Sequence, residues 1–196
     1  MSSREGVRAL GARLSASAPK VTERVRLAYD APNQCIVHGD LKTANILFAT
    51  EWQASALEKS DSGVCLIDFQ WTGVGLAAQD LLYLFVSSAQ LEILESPEEV
   101  QRLLSYYLEL AGDFSKSRGK SIDYSVEMLE RDMDLVLLEY ARTVFGYQLK
   151  GKGPEWVEGG AATLGRCAHN RHAGHLRWLV EKVEKTLTRL EAGDLD

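Results

Sequence analysis

No apolar run in this 196-residue chain approaches the length of a membrane span; the densest, Leu81 to Val86, is far too short. Long basic runs are missing as well, and the net charge is −6 at pH 7, which argues against a nucleic-acid-binding surface. The three cysteines, Cys35, Cys65 and Cys167, make an odd count without metal-ligand spacing. Two of them fall in runs expected to be buried strands, so a reducing, cytoplasmic setting is expected. Internal repeats and low-complexity segments are absent. What is present is ordinarily globular: 45% apolar and 26% charged residues, enough for one core and one domain over residues 1–196.

The chemistry is concentrated between His38 and Asp68. Cys35-Ile36-Val37 is apolar and β-prone and reads as a buried strand ending at His38. Ile46-Leu47-Phe48 and Val64-Cys65-Leu66-Ile67 are two further runs of this kind, separated by the polar segment Thr50 to Gly63. That pattern predicts an antiparallel hairpin with a long loop. Pairing Ile46 with Ile67 and Phe48 with Cys65 sets Asn45 opposite Asp68, so an amide oxygen and a carboxylate meet at one end. Hard oxygen ligands from one or two side chains, completed by phosphate and water, suit Mg²⁺. Asp40 lies in the loop leading into the hairpin, a suitable place for a base that receives a hydroxyl proton.

These segments resemble the catalytic and metal-binding motifs of kinase-like phosphotransferases. Protein kinases carry a His-x-Asp loop ending in Asn, then Asp-Phe-Gly. Here Gly39 follows His38, and the second motif reads Ile67-Asp68-Phe69-Gln70-Trp71, followed by Gly73, Gly75 and Asp80-Leu81. Those departures resemble the small-molecule branch: aminoglycoside phosphotransferases, choline kinases and the choline/ecdysteroid kinase-like group. The resemblance implies Asp40 as catalytic base, with Lys42 touching the transferred phosphate. It implies Asn45 and Asp68 as ligands of Mg²⁺, which would hold ATP. His38 and Gly39 would shape the loop, and Asp80, opening an apolar helix, would brace it by accepting backbone hydrogen bonds.

The fold class implied is α+β: a protein-kinase-like C-terminal lobe, mainly α-helical, with a short catalytic strand and a β-hairpin. Residues 1–33 would form an entry helix and turn, 34–75 the catalytic and metal-binding region, and 76–196 a helical subdomain. Val7, Leu10 and Leu14 fall at helical spacing, Pro19 interrupts, and Val21 and Val25 resume. Arg4, Arg8 and Arg13 with Ser15 and Ser17 also resemble an organelle transit peptide, against which Glu5 and Glu23 count. Pro32-Asn33 marks a turn, and Trp71 to Gly75 a glycine-containing loop. Leu76 to Leu94 reads as one buried helix, the central post of the lobe. Ser96-Pro97-Glu98-Glu99 starts a helix running to about Ala111. A polar connection, a long helix from Tyr124 to Leu149, a break at Gly151 to Pro154 and a last helix from Ala161 to Leu190 complete the chain. His169, His172 and His175 recur on that last helix without a full set of metal ligands, so they are read as a solvated face. Trp52, Trp71, Trp156 and Trp178 show no stacking-platform pattern, although Trp71 is close enough to the second motif to line a pocket.

The family's smaller N-terminal β lobe, with its strand lysine and phosphate-covering loop, finds no counterpart among the 37 residues before His38. The expected activity is therefore ATP- and Mg²⁺-dependent transfer to a hydroxyl of a small molecule, by a chain lacking that lobe or receiving it separately. The alternatives are a non-catalytic pseudo-kinase lobe acting by protein interaction and, more weakly, a metal-dependent hydrolase. Neither nucleic acid nor a membrane is expected as a partner.

Overall fold

The computed structural model describes residues 4–30, 34–49, 63–159, 167–170 and 172–195. Helices dominate, and four short strands are grouped at one end. Helix α1 spans Arg4–Asp30. It is unbroken at Pro19, contrary to the expected interruption. Leu10 and Leu14 before the proline, and Val21 and Val25 after it, share one buried face. Packing of that face against two later helices outweighs the single ladder bond that a proline removes.

Strands β1 (Gln34–Val37), β2 (Ile46–Phe48), β3 (Val64–Leu66) and β4 (Gly73–Leu76) form two nested antiparallel ribbons, β1 with β4 and β2 with β3. In the inner ribbon Ile46 pairs with Leu66 and Phe48 with Val64, one residue away from the expected register. Asn45 consequently faces Ile67, whose N–H donates to the Asn45 carbonyl at 3.0 Å, and not Asp68. The outer ribbon replaces the loop expected over Trp71 to Gly75. Burial is also corrected: of β1 only Val37 is buried, and every residue of β3, Cys65 included, is exposed.

The expected helix from Leu76 to Leu94 is two helices, α2 (Ala77–Ser88) and α3 (Leu91–Leu94), divided at Ala89-Gln90. Helix α4 (Pro97–Lys116) begins as read, with the Ser96 hydroxyl accepting from the Glu99 N–H at 3.2 Å. It continues past Gly112 to Lys116, whose positive charge suits the C-terminal end of a helix. The long helix is α5 (Val126–Thr143), ending in a π-turn over Val144–Gln148. A short α6 (Pro154–Glu158) follows the break, and α7 (Ala173–Ala192) ends the chain.

The central post is α5, not α2. Leu129, Leu137, Leu138 and Ala141 have no accessible surface, and α1, α2, α4 and α7 all pack around that helix. Arg13 of α1 forms a two-pronged ion pair with Glu191 of α7, at 3.0 and 2.8 Å. Among the described residues no helix is long and apolar enough to cross a membrane.

Candidate active site

The loop from His38 to Asn45 leaves the buried end of β1 and is clamped on three sides. Asp80, in the first turn of α2, accepts the His38 N–H at 2.6 Å and the Gly39 N–H at 2.9 Å. At the other end of the same helix, Ser88 Oγ accepts the Thr43 N–H at 2.8 Å. Gly39 has φ +83°, and a Cβ there would stand 2.8 Å from the Cβ of Trp71 and closer still to its carbonyl oxygen. Only glycine fits both that conformation and that approach.

His38 is 6% exposed and acts as an internal strut. Its Nδ1 accepts the Asp40 N–H at 3.3 Å, which assigns the ring proton to Nε2, donated to the Ile67 carbonyl at 2.8 Å. Phe69 packs on the same ring, centroids 4.8 Å apart.

Asp40, Lys42 and Asn45 come together. Lys42 Nζ lies 2.7 Å from Asp40 Oδ2. Asn45, 5% exposed, donates its amide N–H to Asp40 Oδ2 at 3.0 Å and to the Asp40 carbonyl at 2.8 Å. Both donations use the nitrogen end, and the amide oxygen accepts no hydrogen bond from the described residues. Burial alone would raise the Asp40 carboxyl, but hydrogen bonds from Lys42, Tyr83 and Asn45 prevail and hold it below the ordinary carboxylate range.

Asp68 is not part of that cluster. It is exposed, and its side chain makes no hydrogen bond among the described residues. Its backbone is left-handed, φ 66° and ψ 58°, the only positive φ outside glycine among the described residues. A non-glycine residue held there carries local strain of the kind that clusters at functional sites. An amide oxygen and a carboxylate, the donors Asn45 and Asp68 carry, are of the type that suits Mg²⁺ better than zinc or copper.

Tyr83 is an addition to the expected set. Its hydroxyl reaches Asp40 and lies 3.5 Å from Cys167 Sγ. Burial first, then Cys167 and Asp40, push its phenol well above its usual range. It sits one helical turn after Asp80 on the same face of α2, a spacing that was available in the sequence.

Two of the three later histidines are reassigned, while His172 is exposed, its ring 5.5 Å from that of His175. His169 lies in a 3₁₀ turn (Ala168–Asn170) and is fully buried, with its ring between the Val86 carbonyl and Gln148, each 3.3 Å away. His175 bonds the Ala89 carbonyl at 3.0 Å. Both occupy carbonyl groups at the C-terminal end of α2, where the intrahelical ladder has run out. No group of three or more potential metal-ligating residues occurs among the described residues. Trp71 is 67% exposed, Trp178 donates to the Leu94 carbonyl at 3.0 Å, and Trp52 lies outside the described residues.

The model of the ecdysteroid kinase-like family matches residues 3–117, more than half of the chain. The chain belongs to this family. The match covers α1, both ribbons and α2 to α4, hence the whole loop–ribbon site, while α5 to α7 lie beyond it. No curated protein and no solved structure matches the chain. Family membership makes the protein a kinase-like member of a small-molecule phosphotransferase group.

Proposed function

We propose that this family member transfers the terminal phosphoryl group of ATP to a hydroxyl of a small molecule, with Mg²⁺. The observation carrying the reading is the two-ended use of Asn45: its nitrogen fixes Asp40 while its oxygen is left for a metal. Asp40 is the base. The acceptor hydroxyl donates to its carboxylate; as the hydroxyl oxygen bonds to phosphorus and the bond to the leaving nucleoside diphosphate breaks, the proton passes to Asp40. Lys42, 2.7 Å from Asp40, is placed to meet the transferred phosphate as charge develops on it. His38, Gly39 and Asp80 keep the loop in position. Asn45 and Asp68 would hold Mg²⁺, which when bound neutralises charge on the phosphates.

Calorimetry with ATP and Mg²⁺ on this chain and on Asp68→Ala tests the reading. Saturable, magnesium-dependent binding that disappears in the variant supports it; absence of binding at millimolar ATP removes it for this chain alone.

A second reading, an interaction lobe without catalysis, is favoured by one observation. Ile36, Phe48, Trp71 and Val74 are 73, 68, 67 and 62% exposed on the ribbon end. An apolar surface of this kind fits contact with a separate nucleotide-binding lobe or another protein. Binding of a partner with no phosphoryl transfer in the complex would favour this second reading.

A further inference from the structure

A cavity of about 490 Å³ lies among α2, α3, α4, α5 and α7. None of His38, Asp40, Asn45, Asp68 or Asp80 lines it. Helix α2 turns Asp80 and Tyr83 to the catalytic loop, while Leu82 and Phe85 line the cavity. The volume falls within the range, roughly 300–1,000 Å³, of sites that enclose drug-sized ligands.

Its walls have two characters. Leu82, Phe85, Leu104, Met133, Leu137 and Trp178 supply apolar surface. Helix α7 adds a cationic stripe, Lys182, Lys185 and Arg189, at the three-and-four spacing that aligns side chains on one face. Across it, α5 supplies Glu130 and Asp134. Asp134 is 4% exposed and committed: Lys182 Nζ is 3.0 Å away, Arg189 pairs with its other oxygen, and Thr186 donates to it. One carboxylate thus faces two cations. The third, Lys185, has no ion pair among the described residues. The remaining acids at the rim, Glu95, Glu130 and Glu181, are exposed, as Lys185 is; unlike them, Lys185 continues the cationic stripe of α7 beside the two cations on Asp134.

We propose that this cavity is a second small-molecule site, for an apolar molecule bearing one acidic group such as a carboxylate. Its body lies on the apolar walls and its acid meets Lys185 beside the Asp134 cluster. Because α2 stands between this site and Asp40, the occupant is not the phosphoryl acceptor. The proposal does not depend on the kinase reading.

Trp178 in the wall supplies the readout, because a brominated chain bound there quenches its fluorescence. The full chain is titrated with 11-bromoundecanoate, 11-bromoundecanol and 11-bromoundecylammonium. The carboxylate is expected to quench at the lowest concentration. The effect should disappear in Trp178→Phe and persist in Trp71→Phe, and Lys185→Glu should weaken the carboxylate about tenfold, leaving the alcohol unchanged. Quenching that survives in Trp178→Phe and is lost in Trp71→Phe would place the ligand on the exposed ribbons and overturn the site. Preference for the ammonium, or indifference to Lys185→Glu, would overturn the ligand class.

Discussion

His38 and Ile67 are joined by one hydrogen bond, 2.8 Å from ring Nε2 to carbonyl oxygen. That bond connects the loop carrying Asp40 to the residue before Asp68, so two segments distant in sequence share one strut. His38→Ala leaves the Ile67 carbonyl and the Asp40 N–H without their partner and empties the buried space of the ring. The expected cost is about 2 kcal/mol in urea unfolding. In the proposed enzyme, magnesium-dependent ATP affinity should also fall, read by calorimetry.

Asp40→Asn removes the proposed base and keeps the shape. Turnover is expected to fall by about 10² to 10⁴, the usual contribution of a positioned base, with ATP affinity nearly unchanged. Steady-state phosphoryl transfer beside ATP titration checks both halves. Equal turnover in variant and wild type would remove Asp40 from the mechanism.

Gly39→Ala meets two obstacles, a left-handed φ of +83° and the Trp71 backbone. The conformational part alone costs about 1–2 kcal/mol. Thermal unfolding should show a loss at least that large. Gly112→Ala, mid-helix with open space around its Cβ position, is the control and is expected to gain up to about 1 kcal/mol.

Burial pushes the His169 imidazole down to about 4 from an ordinary 6.5. Between those values the unfolded chain binds the proton and the folded chain does not, so stability falls as pH drops through that window. The loss is about 3 kcal/mol by pH 4, of which His169→Asn should be relieved. Urea midpoints measured from pH 7 to 4 check the difference in slope, whatever the variant's absolute stability.

Ile36 and Val74 face each other across the outer ribbon, and both are largely exposed. The double change Ile36→Thr with Val74→Thr should alter unfolding free energy by no more than about 0.5 kcal/mol for each residue. If the ribbon end is a contact surface, the same change shifts elution on a sizing column toward the monomer. Unchanged association would exclude this patch as the contact.

The sequence made the loop legible because its residues act locally: His38, Gly39, Asp40 and Asn45 are read from one short segment and meet within it. Register was harder. Ile67 has the β-prone character of a strand residue, but its carbonyl is taken by His38 and Asp68 turns left-handed immediately after it, so the ladder stops at Leu66. The strand Gly73-Val74-Gly75-Leu76 carries two glycines and so lacks strand propensity. Gly75 is nevertheless required, since a Cβ there would stand 2.9 Å from Val37 Cγ2. The central role of α5 was obscured by Asp132 and Asp134, which break its apolar pattern. Both are buried and paired, Asp132 with the Tyr124 hydroxyl at 2.6 Å and Asp134 with α7, and neither partnership is visible in a local pattern.

Nesting of the two ribbons also sets an order of assembly. Pairing β1 with β4 directly means closing the long connection between Val37 and Gly73, and the entropy lost grows with its length. Once β2 and β3 have paired, that connection is bridged and the outer pair closes across a much shorter gap. The segment holding Asp40 and Asp68 therefore closes in two steps, the inner ribbon shortening the gap left to the outer one.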